Sequence, residues 1–293
     1  MMKKLIFATI LTSVLLFLNS PVASSWGQLG HATIGKIAQD HLDDDARKAL
    51  DKYLDGMLLA AIASDADIYR GKWTADLGFI PTNIDDARPQ WMRGFDFSTP
   101  SNIAPYSHMI TVDQDFKSYP TDNIDGKFID NIAYYVDRMS QELKHNAENM
   151  DSFERFKAIA LIVHWLGDMH CPTHIVYLPD NVTKGKFKID WKGVSVNYHT
   201  WWDKYIFDAY YNWSFSDMAY LVDTADDSEI AGIINGNIYD YAQDSARSCW
   251  PAVSKYKAGD TVDLNYPADA RELLFSQLRN AGYRLAKILN DIF

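Results

Sequence analysis

The stretch DSFERFKAIALIVHWLGDMHCPTH, residues 151–174, decides the fold that we predict for this chain. Asp151 with Glu154 three residues later is typical of a helix start, because both side chains can accept hydrogen bonds from free backbone N–H groups. The residues that follow with the three-and-four spacing of one buried helix face are Phe156, Ile159, Ala160, Val163, His164 and Gly167. Pro172 should end or kink this helix and move His174 away from its face. The stretch therefore predicts a long helix followed by a sharp turn.

Helical spacing recurs in three other segments. One helix should begin at Asp44 or Asp45, and two more should cover residues 129–143 and 273–289. Strand patterns are scarce, and the main candidate is KFKIDWKGVSVNYH, residues 186–199, which predicts a short β-hairpin. These patterns predict a mainly α-helical protein.

The connections between these elements indicate one domain. The hairpin should turn near Lys192-Gly193, and residues 71–107, rich in Gly, Pro, Asn and aromatic residues, predict a long ordered loop. No repeat, low-complexity tract or linker divides the chain. We therefore predict a single-domain α-helical bundle with long loops and one short hairpin.

The first 25 residues have the layout of a secretory signal peptide. Lys3 and Lys4 precede an apolar run, and the segment ends in Ala23-Ser24-Ser25. The apolar run is shorter than a membrane span requires. We therefore predict a signal peptide over residues 1–25, a functional domain over residues 26–293, a secreted or periplasmic location, and no membrane attachment after cleavage.

Charge and cysteine content limit the classes of function. The chain has a net charge of −11, and without the leader and its two lysines the charge is −13. Nucleic-acid affinity through a general basic surface is therefore excluded, and a phosphate ligand would need positive charge concentrated at one site. Cys171 and Cys249 give no disulfide framework, and two buried thiols are favoured over a disulfide.

Two histidine–aspartate pairs carry the densest chemical signal. His164 and Asp168 are spaced i, i+4 in HWLGDMHCPTH, so both side chains leave the same side of a helix, and Asp168 could bridge two ions through its two oxygens. His199 and Asp203 repeat this spacing in HTWWD. With His174 they form the ligand set of an open catalytic zinc site. For either pair alone, the alternative is a capped or salt-bridged surface helix.

Other candidate ligands are individually weaker. Cleavage before WGQLGH, residues 26–31, would turn the α-amine of Trp26 into a metal donor near His31, although both residues could simply be core residues. A lone histidine such as His108 is more often a satisfied core residue, and Asp67 could be an ordinary helix or turn carboxylate. His170 lies two residues after Asp168 and therefore off its helix face, which favours a supporting role behind the ligands.

The order of these blocks along the chain is more specific than any one of them. WGQLGH, ASDADIYR, SHMI, HWLGDMHCPTH, NYHTWWD and AGYRLAKILNDIF together resemble the trinuclear-zinc, single-strand-specific nucleases and 3′-nucleotidases of the mung bean nuclease type. The resemblance covers nearly all of residues 26–293 and implies a phospholipase C/nuclease-like fold with three Zn²⁺ ions.

The resemblance implies three groups of zinc ligands, which we number as follows. The first ligand group consists of Asp67, His108, His164 and Asp168. The second ligand group consists of Trp26, through its α-amine and carbonyl oxygen, His31 and the other oxygen of Asp168. The third ligand group consists of His174, His199 and Asp203.

The same resemblance assigns roles in catalysis. Asp67, Arg70 and Asp168 would be catalytic, with the guanidinium of Arg70 on the scissile phosphate. Substrates would be single-stranded DNA or RNA and 3′-nucleotides, products would carry 5′-phosphates, and no stable protein partner is implied. Met109 would contact the base where the family often has an aromatic residue, which lowers the expected base affinity.

Other departures from the family pattern are Asp65, where Trp is usual, Cys171, where Gln is usual, and a basic turn over residues 184–186. Two competing functions are also consistent with the motifs. A zinc phospholipase C shares the N-terminal Trp, but the short spacing from Trp26 to His31 and the presence of Asp203 rather than Glu argue against it. A zinc-storage protein is disfavoured because each group has only three or four donors, which leaves room for water or substrate.

Overall fold

The computed structural model describes residues 26–68, 108–178, 182–183, 187–210 and 212–293. Helices make up most of this part of the chain, as predicted. They are α1 (Gly27–Asp40), α2 (Asp44–Tyr53), α3 (Leu59–Ile62), α4 (Asp65–Ile68), α5 (Ile132–Asn146), α6 (Ser152–Met169), α7 (Tyr198–Asp203), α8 (Phe215–Val222), α9 (Asp227–Ile233), α10 (Ile238–Val253), α11 (Tyr266–Asp269) and α12 (Arg271–Ile292). The predicted signal peptide and the predicted loop over residues 71–107 lie outside the described residues.

Helix α6 is the central element of the bundle. The Asp151 side chain accepts hydrogen bonds from the backbone N–H groups of Phe153 and Glu154, which confirms the predicted cap. From residue 157 onward every residue of α6 is buried, because α1, α5 and α12 contact it from different sides. The helix ends at Met169, and Pro172 begins a 3₁₀ turn, Pro172–His174, as its restricted backbone predicts.

One predicted helix start is confirmed and another needs correction. Helix α2 begins at Asp44, as predicted, and the preceding Asp43 caps it, because its carboxylate accepts hydrogen bonds from the Asp45 and Ala46 N–H groups. Helix α5 begins only after Asn131, so Ile129 belongs to the preceding loop, where its N–H donates to the Asp122 carbonyl. In both cases a short side-chain or backbone contact sets the boundary, which apolar spacing does not report.

The strands of the described residues are short and form three small sheets. They are β1 (Ile110–Val112), β2 (Asn123–Ile124), β3 (Lys127–Phe128), β4 (Ile175–Tyr177), β5 (Val182–Thr183), β6 (Lys188–Trp191) and β7 (Val194–Asn197). Strand β4 lies between β1, with which it pairs in parallel, and β5, with which it pairs antiparallel. The β1–β4 register sets Ile110 opposite Ile175 and so brings the residues just before each strand together.

The predicted hairpin is confirmed as β6–β7. Lys192 and Gly193 form its two-residue turn with φ of 55° and 78°, the left-handed pair that matches the twist of a tight hairpin. Strand β7 ends at Asn197, whose side chain accepts a hydrogen bond from the His199 N–H and thereby starts α7. The hairpin therefore leads directly into a helix that carries two predicted ligands.

Both cysteines are buried free thiols, as the favoured interpretation predicted. Among the described residues, no helix combines the length and the apolar character that crossing a membrane requires.

Candidate metal centre

Helix α6 holds the first histidine–aspartate pair rigidly. His164 and Asp168 have fully buried side chains, and Nε2 of His164 lies 3.3 Å from Oδ2 of Asp168. The opposite ring nitrogen, Nδ1, is 2.9 Å from the carbonyl oxygen of Ala63, to which it can donate. Donation from Nδ1 fixes the tautomer, because the Nε2 lone pair then points at the carboxylate.

The rest of the first ligand group converges on this pair. Oδ1 of Asp67, on α4, lies 3.6 Å from Nε2 of His164 and 3.6 Å from Nε2 of His108. Nδ1 of His108 lies 2.7 Å from Oδ2 of Asp168. All four predicted members therefore meet at one point, although they come from three separate segments.

The second ligand group lies on the other side of Asp168. Nε2 of His31, on α1, is 3.3 Å from Oδ1 of Asp168, and its ring stacks on the His164 ring with a centroid distance of 4.1 Å. The indole N–H of Trp26 donates to the Gly167 carbonyl at 2.7 Å. Asp168 thus faces two ligand groups with its two oxygens, and the Trp26 indole contacts Gly167, the residue before Asp168. Ligation by the α-amine of Trp26 stays a prediction.

The third ligand group is built by the 3₁₀ turn and α7. Nδ1 of His174 is 2.7 Å from the His108 carbonyl, a contact made possible by the parallel pairing of β1 with β4. Nε2 of His174 lies 3.4 Å from Oδ1 of Asp203, and Nε2 of His199 lies 3.1 Å from Oδ2. Nδ1 of His199 faces the carbonyl of Thr173 at 3.1 Å.

The donor set fits zinc. In His164, His174 and His199, Nδ1 faces a backbone carbonyl, so each Nε2 lone pair is directed at carboxylate oxygens. Two facing lone pairs repel each other unless a cation or a proton lies between them. Nitrogen and oxygen donors about 2.05 Å from a tetrahedral zinc are about 3.3 Å apart. Four Nε2–carboxylate distances in the three groups lie between 3.1 and 3.4 Å, which suits an intervening ion.

The pKa shifts show how strongly the centre attracts positive charge. Burial by itself raises the pKa of Asp168, but the charges of His164, His174 and His108 outweigh burial and hold it well below its usual range. Burial lowers the pKa of His174, yet Asp168 and Asp203 outweigh it and raise this pKa to about 9. Without metal, protons therefore take the place of cations in this centre.

His31 behaves differently from its neighbours. Burial, followed by the charge of the stacked His164, lowers the pKa of His31 despite the nearby carboxylates. The ring is therefore held neutral, which is the form that binds metal ions. A Cβ on Gly167 would lie 2.6 Å from Nδ1 of His31, so only glycine leaves room for this ring against α6.

Some predicted residues lie elsewhere. Arg70 falls outside the described residues, so its role stays a prediction. Met109 is only 7% exposed, and its proposed contact with a base also stays a prediction. His170 contacts no ligand side chain among the described residues; its ring accepts from Arg284 and contacts the Leu166 carbonyl, which joins the end of α6 to α12.

Two residues that depart from the family pattern lie near the centre. The Cys171 thiol is fully buried and donates to Oδ1 of Asp203 at 3.6 Å. The spacing C-x-x-H from Cys171 to His174 was the signal available in the sequence. Asp65 is half-buried two residues before Asp67, and burial raises its pKa to about 6, although His164 opposes this shift.

Similarity to known proteins agrees with this geometry. Residues 26–293 match the S1/P1 nuclease family. Endonuclease 2 of Arabidopsis thaliana is 24% identical over 303 aligned residues, which cover 96% of this chain and 95% of the plant protein. Nuclease P1 of Penicillium citrinum is 30% identical over 189 residues, which cover 62% of this chain and 58% of the fungal protein. The chain thus belongs to the S1/P1 nuclease family of metal-dependent enzymes and is a nuclease that hydrolyses phosphodiester bonds.

Proposed function

We propose that this nuclease is an exported, zinc-dependent enzyme that cuts single-stranded DNA and RNA into 5′-phosphorylated products and also removes the phosphate of 3′-nucleotides. One observation carries the proposal: three buried carboxylates and five imidazoles converge as three adjoining ligand groups around Asp168 and Asp203. The single-strand preference and the 3′-nucleotidase activity rest on the ordered motifs that the chain shares with enzymes of the mung bean nuclease type.

The three ligand groups would each hold one Zn²⁺ ion. When bound, the ions supply Lewis-acid stabilisation of the phosphate and of the leaving oxygen, and they make a water acidic enough to serve as nucleophile. The protein contributes the positions of the donors. Asp168 links the first and second groups through its two oxygens, and the backbone contacts of His164 and His174 hold their Nε2 atoms toward the carboxylates.

Electrostatics explains why the metal is needed for binding as well as for chemistry. Asp67, Asp168 and Asp203 place three negative charges in one buried region, and the whole chain has a net charge of −11. Carboxylates alone would repel a phosphodiester, because burial strengthens the repulsion between like charges. We therefore expect chelation to abolish both substrate binding and cleavage.

The main experiment compares four substrates under the same conditions. The purified protein is given denatured DNA, duplex DNA, a 3′-mononucleotide and phosphatidylcholine vesicles, before and after chelation and after return of Zn²⁺. We expect cleavage of denatured DNA and of the 3′-nucleotide, loss on chelation and recovery with zinc. Asp168→Asn purified in parallel controls for contaminating nuclease. Lipid turnover without nucleic-acid cleavage would refute the proposal in favour of a phospholipase.

Export is tested at the N-terminus. The layout of residues 1–25 supports cleavage between Ser25 and Trp26, which would free the Trp26 α-amine for the second ligand group. We expect N-terminal sequencing of the exported protein to begin at Trp26. A form with one added N-terminal residue should lack one zinc equivalent and most activity, because an acylated nitrogen is a poor donor. Full zinc content in the extended form would refute this role of Trp26.

A further inference from the structure

A buried thiol stands beside the third ligand group. Sγ of Cys171 is 3.6 Å from Oδ1 of Asp203, and the same oxygen is 3.4 Å from Nε2 of His174. These three atoms all lie within 4.8 Å of one another, and all three residues are buried. The group therefore has one potential donor more than the three ligands predicted from the sequence.

The local backbone explains why the thiol points there. Cys171 precedes the 3₁₀ turn Pro172–His174, in which side chains three residues apart lie on the same side. The His174 N–H donates to the Cys171 carbonyl at 3.0 Å, and the Cys171 N–H donates to the Asp168 carbonyl at 2.9 Å. These two hydrogen bonds hold Cys171 and His174 as neighbours at the end of α6.

His174 provides an independent indication of a ligand at this position. Its Nδ1 is used by the His108 carbonyl, which leaves Nε2 as an acceptor. Nε2 is buried and has no hydrogen-bond donor among the described residues. It points into the space that it shares with Sγ of Cys171 and Oδ1 of Asp203, so a nitrogen, a sulfur and an oxygen atom that can each bind a metal ion face one another in a buried group. Protons on the ring and on the thiol can occupy this space in the metal-free protein, and one cation can replace both of them.

The distances match zinc coordination. With bond lengths of about 2.3 Å to sulfur and about 2.05 Å to nitrogen or oxygen, a tetrahedral zinc separates sulfur from oxygen by about 3.6 Å and nitrogen from oxygen by about 3.3 Å. The observed Sγ–Oδ1 and Nε2–Oδ1 distances are 3.6 and 3.4 Å. His199, whose side chain is 23% exposed, completes the set from the outer side, with Nε2 at 3.1 Å from Oδ2 of Asp203.

We propose that Cys171 binds, as a thiolate, the zinc ion of the third ligand group together with His174, His199 and Asp203. This inference rests on the proposed function, because it adds a ligand to one of its three ions. On binding, the thiol proton is released to solvent and the sulfur electron pair forms the bond to the metal. Four protein donors surround the ion, which can still accept a substrate oxygen by expanding to five-coordinate, and a thiolate favours zinc or cadmium over manganese or magnesium.

The competing interpretation is that the thiol only donates a hydrogen bond to Asp203 and so orients a ligand. Metal affinity does not separate the two roles, because loss of a group that orients a ligand also weakens binding by about 10- to 100-fold. A sulfur-to-metal charge-transfer band does separate them, since it appears only when sulfur is bonded to the ion.

The test uses the full-length exported chain stripped of metal and reloaded with Co²⁺. We expect a near-ultraviolet thiolate-to-cobalt band in the native protein and in Cys249→Ser, whose thiol is also buried and, in the described part of the chain, forms hydrogen bonds only with Ser245 and the His170 carbonyl. The band should be absent in Cys171→Ser. A native protein that binds three Co²⁺ ions without this band, or an unchanged band in Cys171→Ser, would overturn the proposal.

A second measurement covers the case in which Cys171→Ser does not fold. X-ray absorption of the zinc-loaded native protein should contain a Zn–S contribution at about 2.3 Å, whereas nitrogen and oxygen ligands alone would contradict the proposal. Cleavage of denatured DNA is measured on the same samples. Cleavage without a sulfur ligand would reject only the role of Cys171, whereas a sulfur ligand without cleavage would reject only the proposed function.

Discussion

The same H-x-x-x-D spacing occurs twice in this nuclease, in surroundings that differ greatly. His164 and Asp168 lie on α6, which is 18 residues long and buried over most of its length, whereas His199 and Asp203 lie on α7, which has six residues and follows a hairpin. The Nε2–carboxylate distances within the two pairs are similar, at 3.3 and 3.1 Å. The spacing therefore determines the distance within each pair, and the surroundings determine how many ligand groups its carboxylate can serve.

The carboxylates show the difference most clearly. The two oxygens of Asp168 face different ligand groups, with His31 at Oδ1 and His164 at Oδ2. Both oxygens of Asp203 face members of the third ligand group and the adjacent Cys171. The carboxylate of Asp168 faces ligand groups on two sides, whereas the carboxylate of Asp203, at the end of a six-residue helix, serves a single group.

The largest effect on zinc content and cleavage is expected from substitution of the two carboxylates. Asp168→Asn should remove two zinc equivalents and lower cleavage of denatured DNA by at least about 1,000-fold, because one lost electrostatic group already costs 100- to 1,000-fold. Asp203→Asn should remove one equivalent. Zinc analysis and initial rates measure both effects, and Asp137→Asn, at a carboxylate outside the three ligand groups that accepts a hydrogen bond from Tyr239, is the control. Equal zinc loss in the two site variants would contradict the bridging role of Asp168.

The next prediction compares the two histidines in metal-free protein. His164→Ala should lower the free energy of unfolding by about 3 kcal/mol, because it leaves a cavity in the core and unpairs buried carboxylates. His199→Ala should cost about 1 kcal/mol, since its side chain is 23% exposed and water therefore weakens the contacts that it loses, with the Thr173 carbonyl and with the Asp203 carboxylate. Urea unfolding in a chelator measures both values. Similar costs would show that the two helices support their histidines equally.

The pH dependence of stability distinguishes metal-free from zinc-loaded protein without any substitution. The folded pKa of His174, about 9, exceeds its ordinary value of 6.5. Its contribution to stability is therefore complete below pH 6.5 and is lost as the pH rises through 9. Metal-free protein should lose about 3 kcal/mol of unfolding free energy over this window. Zinc-loaded protein should not, because the ions replace these protons.

Denaturant unfolding at several pH values measures this dependence. In metal-free Asp203→Asn the loss should be smaller but not absent. Burial lowers the pKa of His164, but Asp168 and Asp67 outweigh burial and still raise it well above its ordinary value in the first ligand group. A metal-free protein whose stability is constant from pH 6.5 to 9 would refute the proton-for-metal exchange.

Local spacing explains what could be predicted from the sequence. The two pairs on α6 and α7, the Asp151 cap and the hairpin turn depend on residues at most four positions apart, so their patterns are visible in the chain. No local sequence pattern identifies Asp67, His108 or His31 as ligands. Their placement was predicted through the ordered motifs of a family, and the geometry brings them to Asp168.

Contacts between distant segments explain what could not be predicted. His108 meets His174 because β1 pairs in parallel with β4, and three-residue strands carry no periodic signal. The contact of Cys171 with Asp203 joins positions 32 residues apart in the chain. His31 lies against Gly167 across the α1–α6 contact, and a glycine within a helix does not reveal which ring it accommodates.

The smallest expected loss of zinc binding comes from a substitution at that last contact. Gly167→Ala places a Cβ 2.6 Å from Nδ1 and 2.8 Å from Cε1 of His31, and this ring cannot move freely because it stacks on His164. We expect a cost of about 2 kcal/mol in unfolding free energy from overpacking. We also expect at least about tenfold weaker binding of one zinc ion, because His31 is displaced from Asp168.

Gly232→Ala on α9 is the matched control, since its Cβ would meet nothing within 4 Å and the change should stabilise the helix by about 0.5–1 kcal/mol. If Gly167→Ala keeps three tightly bound zinc ions, the second ligand group does not depend on close packing of His31 against α6, and the contrast between the long helix α6 and the short helix α7 must be abandoned.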